Sequence, residues 1–276
     1  ILQKDTAVFN QPIGVFLEKS IESIVADIGV LYSANAYMNL DVKAPAQRLG
    51  GILEKIRPAY VITDEKHLPI LEGIWDSSRV LLIDERREIA SISPQIEERL
   101  ARCVDTDPMC LISTSGSTGI PKGAILNHRS FLDVTNWACR HTPLEENCIF
   151  GTLVPIVFDV FTFELCLMMS QGCSLLIIPA GLAAFPVRIL ELLNRHQVTH
   201  IFWVPTIMVN IANMGLLSSV PLPYLKAVWW IGEVFPTAQF NLWRKALPHA
   251  QFANFYGPIE ITVFCTYYIV DREIPD

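Results

Sequence analysis

Eleven consecutive residues, Ser113-Thr114-Ser115-Gly116-Ser117-Thr118-Gly119-Ile120-Pro121-Lys122-Gly123, carry five hydroxyls, three glycines and one lysine. Glycine admits positive-φ turns, so such a loop can converge backbone N–H groups and hydroxyls on an anion. Lys122 adds a mobile positive charge. The chemistry this suits is the grip of a phosphate or polyphosphate. A Walker A loop is excluded, because that motif needs Gly-Lys-Ser/Thr after its spacer. Here Lys122 lies between Pro121 and Gly123, and no hydroxyl follows to reach a magnesium ion. A Ser/Gly linker is the alternative. Against it stand the Pro-Lys-Gly and the apolar runs at 109–112 and 124–126 on either side.

Two isolated acids stand in apolar surroundings. Asp159 lies in Val157-Phe158-Asp159-Val160-Phe161. It is either a cap at a helix N-terminus or a partly buried carboxylate that wants a cation, which a ligand ammonium could supply. Glu260 follows Tyr256-Gly257-Pro258-Ile259. It is either a surface turn acid or a magnesium ligand, since Mg²⁺ takes one or two carboxylates beside phosphate oxygens. His196 and His200 are four apart, but a helix ending near 196 and a strand starting near 199 would put them on different faces. No Gly-x-Ser-x-Gly elbow and no Gly-x-Gly-x-x-Gly occurs, which disfavours an α/β-hydrolase and a dinucleotide fold.

The elements that must position these residues alternate along the chain. Strand patterns fall at 12–17, 37–40, 59–63, 79–83, 109–114, 149–154, 174–179, 199–204, 227–231, 252–256 and 262–270. Between them, helical spacing appears at 21–33 behind a Ser20 cap and from Pro45 through Leu49, Ile52, Leu53 and Ile56. Further helices are expected at 94–102, 129–141, 158–171 with a stop at Gly172, 187–196, 205–214 and 236–247. Strands alternating with helices predict an α/β fold of two parallel-sheet subdomains covered by helices, divided at 155/156. Ligands in such sheets bind beyond the carboxyl ends of the strands. The Ser113–Gly123 loop, Gly232-Glu233 and the stretch from Asn254 to Glu260 all sit at such ends.

Composition narrows the partners. The net charge is −7 with dispersed basic residues, so neither nucleic acid nor an anionic membrane is expected as partner. Hydrophobic content of 51% against 18% charged suits sheets buried on both faces. The longest uncharged run, 198–217, is broken by His200, Pro205, Asn210 and Asn213, so no membrane span is expected. Seven scattered cysteines without a Cys-x-x-Cys read as reduced thiols in a cytoplasmic protein.

Taken together, the motifs resemble the adenylate-forming enzymes, specifically the amino-acid adenylation domains of nonribosomal peptide synthetases. The glycine-rich loop is similar to that family's signature almost throughout. Leu31-Tyr32-Ser33-Ala34-Asn35-Ala36-Tyr37-Met38-Asn39-Leu40-Asp41 resembles its Leu-Lys-Ala-Gly-x-Ala-Tyr-Val-Pro-Leu-Asp motif, with Asn35 and Asn39 as departures. Phe158-Asp159 resembles the start of the substrate motif, Ile231-Gly232-Glu233 resembles Gly-Gly-Glu, and Asn254 to Glu260 resembles Asn-x-Tyr-Gly-Pro-Thr-Glu.

The resemblance implies that an amino-acid carboxylate attacks the α-phosphate of ATP, giving aminoacyl-AMP and pyrophosphate. The acyl group then passes to a phosphopantetheine thiol on a carrier-protein domain. It also implies roles. Thr114, Ser115, Gly116, Ser117, Thr118, Gly119 and Lys122 would hold the β- and γ-phosphates, and Glu260 would take Mg²⁺. Tyr256 would stack on adenine, with Gly232, Asn254 and Gly257 around it. Asp159 would pair with the substrate ammonium. Selectivity positions would fall on Asp159, Val160, Phe163, Phe202, Trp229, Ile231, Phe255, Val263 and Phe264. Asp159 is the one charged member of that set, so a small or apolar neutral amino acid is expected.

Departures set the limits. Ile259 replaces the family's Thr. The family's later motifs, its β-barrel and its small C-terminal subdomain with the catalytic lysine are largely absent from this sequence. The resemblance therefore implies a truncated core, slow to turn over alone. An acyl-CoA or fatty-acyl-AMP ligase is one alternative, though such a substrate needs no partner for Asp159. A non-catalytic nucleotide-binding fragment is the other.

Overall fold

The computed structural model describes residues 5, 7–83, 94–114, 122–142, 144, 147–272 and 274–275. The chain forms two compact units, 1–130 and 131–276. In the first, β1 (Pro12–Phe16), β2 (Ala36–Asn39), β3 (Tyr60–Thr63), β4 (Val80–Leu82), β5 (Pro108–Thr114) and β6 (Lys122–Asn127) make one six-stranded sheet in the order β4-β3-β1-β2-β5-β6. Its helices are α1 (Ile21–Tyr32), α2 (Ala46–Ile56), the short α3 (Leu68–Leu71) and α4 (Pro94–Leu100). The helix α5 (His128–His141) spans the division.

The second unit repeats the scheme. Strands β7 (Ile149–Thr152), β8 (Ser174–Ile177), β9 (His200–Trp203), β10 (Ala227–Ile231), β11 (Gln251–Tyr256) and β12 (Thr266–Ile269) run in the order β12-β11-β10-β9-β7-β8. Its further helices are α6 (Asp159–Gln171), α7 (Pro186–Arg195), α8 (Pro205–Asn213), the short α9 (Leu216–Ser219) and α10 (Thr237–Ala246). Because β7 pairs with β8 and β9, it belongs to the second sheet although it precedes residue 155.

Local chemistry explains most element ends. Ser20 caps α1 in a reciprocal capping box with Ser23. Leu49, Ile52 and Leu53 form the buried stripe of α2, as their spacing predicts. Gly172 closes α6 in the left-handed conformation. Proline opens α7 and α8 where its missing N–H costs nothing.

Three expectations are corrected. The sheets are mixed: β6 runs antiparallel to β5 at one edge, and β12 antiparallel to β11 at one edge of the other. The strand expected at 262–270 is only Thr266–Ile269, because a 3₁₀ turn at Ile259–Ile261 and two left-handed residues, Thr262 and Val263, come first. The cysteines are not all thiols. Parallel pairing sets Ile149 opposite Ser174, so the preceding Cys148 and Cys173 lie side by side, 5.0 Å apart at Cα, and are joined by a disulfide. Cys103, Cys110, Cys139, Cys166 and Cys265 take no part in a disulfide. No helix among the described residues is long and apolar enough to cross a membrane.

The two expected motif departures are structural ties. Asn35 is buried; its amide donates to Val8 O, Ser33 O and Ser33 Oγ, and its Oδ1 accepts from Gln11 N–H. Asn39 donates to the buried carboxyl of Asp27 at 3.0 Å.

Candidate functional site

In the second sheet, pleating sends alternate residues of β9 and β10 to opposite faces. Trp203, Val228 and Trp230 face a core shared with Ile189, Met208 and Trp243 from α7, α8 and α10. Phe202 and Trp229, in register on neighbouring strands, take the other face. There α6 supplies Phe163, whose ring meets Phe202 at 6.0 Å and Phe264 at 5.8 Å, both edge to face. Phe202 meets Trp229 at 5.9 Å and Phe255 at 5.2 Å, and Phe255 meets Phe264 at 4.6 Å. Val160 follows Asp159 on α6, and Ile231 pairs with Phe255 across β10 and β11; both are buried. The structure thus gathers Phe163, Phe202, Trp229, Phe255 and Phe264, which lie far apart in sequence, into one cluster of rings.

Asp159 stands at the start of α6 and is buried. It does not cap that helix, whose N-cap position is Phe158, without a side-chain bond. Instead its Oδ2 accepts the Val263 N–H at 2.8 Å, across 104 residues of sequence. Burial pushes its carboxyl above the usual aspartate range. The N–H groups of Val263, Val160 and Asp159 pull the other way, and the nearby Glu260 charge adds a smaller upward push.

Beyond the ends of β10 and β11 lies a cavity of about 410 Å³. Gly232, Asn254 and Tyr256 line it with aromatic residues such as Trp230, Phe235 and Phe255. Gly232 turns there at φ +88, a left-handed conformation that glycine takes without strain. Flat apolar walls with one amide and an exposed tyrosine ring suit a heteroaromatic base. Glu233 also lines the cavity, and its carboxylate is tied to α8: it accepts the Thr206 N–H at 2.9 Å and the Thr206 hydroxyl, fixing the first turn of that helix. Gly257 and Glu260 sit on the segment joining β11 to β12, with Glu260 exposed.

In the first unit, Thr114 ends β5 directly opposite Lys122, the first residue of β6. The loop residues Ser115, Gly116, Ser117, Thr118 and Gly119 lie outside the described residues. Among the described residues, no group of three or more His, Cys, Asp or Glu side chains gathers to hold a metal ion.

Sequence reasoning missed several residues around the ring cluster, Phe150 and Tyr267 among them. Trp137 of α5 contacts Tyr267 at 4.3 Å, Phe264 at 5.4 Å and Phe255 at 6.3 Å, and stacks on His141 at 4.8 Å. Buried His200 stacks on Phe150 at 4.9 Å and meets the edge of Trp229 at 5.6 Å. Gln251 accepts the Trp229 indole N–H at 3.2 Å. Only the helical spacing of Trp137 and His141 signalled any of this, and spacing alone cannot say what a helix face meets.

Two mixed sheets flanked by helices, with a cavity beyond the ends of β10 and β11, are an architecture compatible with a nucleotide-handling enzyme core. The chain belongs to the AMP-binding enzyme family, the adenylate-forming ligases, whose family model matches residues 5–276. Zwittermicin A synthase ZmaJ of Bacillus cereus is 27% identical over 263 residues, covering 93% of this chain and 49% of that protein. An L-proline (L-prolyl-carrier protein) ligase of Streptomyces coelicolor is 27% identical, covering 95% of this chain and 52% of the relative. The crystal structure of the nonribosomal peptide synthetase FmoA3 shares the fold with a TM-score of 0.87 at 23% identity, over 99% of this chain and 29% of that one. The chain spans about half or less of the length of these relatives.

Proposed function

We propose that this chain is the ATP- and amino-acid-binding core of an adenylation enzyme. It activates a small or apolar neutral amino acid. The substrate carboxylate displaces pyrophosphate from ATP to give aminoacyl-AMP. A carrier-protein phosphopantetheine thiol then takes the aminoacyl group and releases AMP. The observation that carries this reading is a buried Asp159 carboxyl bonded to the Val263 N–H, one residue before Phe264 of the uncharged ring cluster of Phe163, Phe202, Trp229, Phe255 and Phe264. A carboxyl in that setting wants a cation, and an α-ammonium supplies one. The same walls offer no counter-charge to an acidic or basic side chain. The rings already pack on one another, which favours a small side chain.

The remaining roles follow the same reading. The cavity of Gly232, Asn254 and Tyr256 takes adenine. Thr114, the loop through Gly119 and Lys122 take the β- and γ-phosphates. Glu260 takes Mg²⁺ together with phosphate oxygens, as that ion prefers. The relatives lend support, since one is an L-proline ligase acting on an L-prolyl-carrier protein. A structural neighbour, the Vibrio cholerae adenylation domain AlmE, was solved with glycyl-adenosine-5′-phosphate.

The test is amino-acid-dependent ATP–pyrophosphate exchange by the full-length protein, one amino acid at a time. Exchange is expected with a neutral amino acid. Strongest exchange with Asp, Glu, Lys or Arg would sink the assignment of the pocket. Exchange driven only by an acid lacking an amino group would move the protein to the acyl ligases.

A further inference from the structure

The segment that carries Glu260 adopts a conformation its own residues disfavour. After β11 the chain runs through Gly257-Pro258, a single 3₁₀ turn at Ile259–Ile261, and then Thr262 and Val263. These two are β-branched, yet they stand at φ +66 and φ +64. A β-branched side chain is strained in that conformation, so something must hold the turn in place.

Three contacts do so. The Cys265 N–H donates to Tyr256 O at 2.9 Å, closing the neck of the turn. Gly257 lets the returning chain press in: a Cβ there would come within 2.5 Å of Phe264 Cα and 2.8 Å of Val263 O. Both of these act within the turn. The third reaches another element, where the Val263 N–H donates to Asp159 Oδ2 on α6 at 2.8 Å. Glu260 lies close enough for its charge to be felt at Asp159.

We propose that Asp159 is a positioning residue as well as the partner of the substrate ammonium: through Val263 it latches the strained turn that carries Glu260, and so links the amino-acid site to the setting of Glu260. This rests on the reading of Asp159 and Glu260 given under Proposed function. Asp159 has a second oxygen to offer a cation while Oδ2 keeps the amide. An ammonium on that second oxygen holds the carboxyl ionised, and an ionised acceptor makes the stronger bond to Val263. Filling the amino-acid site therefore tightens the turn, and a tighter turn fixes Glu260.

The test separates charge from latch in the full-length protein. In Asp159→Asn the amide oxygen still accepts the Val263 N–H but the charge is gone; in Asp159→Ala both are lost. Hydrogen exchange is followed without ligand over residues 257–265, with α8 and α10 as internal controls for folding. Asp159→Ala is expected to exchange about tenfold faster in the turn, and Asp159→Asn to stay within about threefold of the native protein. In pyrophosphate exchange, Asp159→Asn raises the KM of the amino acid alone. Asp159→Ala raises that of ATP as well, severalfold. Should the alanine variant fail to fold, Asp159→Ser, whose hydroxyl falls short of Val263, takes its place. Native protection in the alanine or serine variant, or equal loss in the asparagine variant, overturns the latch. A loosened turn with an unchanged ATP KM overturns the link to Glu260. The exchange data judge the latch even if no amino acid is activated, in which case it is the functional reading that fails.

Discussion

Each unit buries an aspartate on a helix, and the two are held in different ways. Asp27 on α1 is fully buried, and its Oδ2 accepts from the side chain of Asn39. Burial pushes its pKa up to about 8. An amide neighbour suits a neutral acid as well as a charged one, so Asp27 can remain protonated as part of the packing. Asp159 on α6 is 6% exposed, and its neighbours are backbone N–H groups, which only donate. They favour the charged form and oppose the larger upward push of burial. The helices differ in the same sense. At α1 a serine pair caps the N-terminus, whereas α6 has no side-chain cap although an aspartate stands in its first turn. The carboxyl at the start of α6 serves a distant loop as well as its own first turn.

The largest effect expected from this contrast is on activity. Asp159→Ala should lower kcat/KM for the amino acid by about 100-fold or more in pyrophosphate exchange, the cost of leaving a buried charge unpaired being about 2–5 kcal/mol. Asp27→Asn should change it by no more than a few fold. Comparable losses in the two variants would break the distinction between a packing acid and a substrate-facing one.

Next comes the pH dependence of stability. Because the folded-state pKa of Asp27 is raised, the native state holds a proton that the unfolded chain releases from about pH 4 upward. The stability Asp27 contributes is therefore complete below that pH and declines as pH climbs toward about 8. Asp27→Asn should flatten this decline in urea melts taken across that window. An unchanged slope would mean that Asp27 is not the group responsible.

The smallest effect tests the caps. Ser20→Ala should cost about 1 kcal/mol by removing one half of the capping box. Thermal melts should show a modest fall in Tm with exchange activity retained.

Much of the frame was legible because it is local. The stripe of α2, the glycine stop of α6 and the full extent of β10 follow from periodicity and end residues that act within a few positions. The edge strand β6 was legible only as an apolar run, since its antiparallel pairing with β5 is set by chain reversal rather than by composition. At the site, the resemblance to the adenylation family, residue by residue, pointed to Phe163, Phe202, Trp229, Phe255 and Phe264. That resemblance did not reach Trp137, His200 or Gln251, which come to the cluster from separate elements.

The sequence by itself determined the alternation of strands and helices, the caps, and the motifs that resemble an adenylating enzyme, because propensity, capping and motif spacing are short-range. Only the tertiary structure decided what Asp159 touches, which rings close the cluster, and that Cys148 meets Cys173. Those outcomes depend on strand order and register, which bring residues 104 and 25 positions apart into contact. Local chemistry still shows at Asp159, whose carboxyl feels the first-turn N–H groups of Asp159 and Val160; what the sequence did not show is the Val263 N–H that the β11–β12 turn adds.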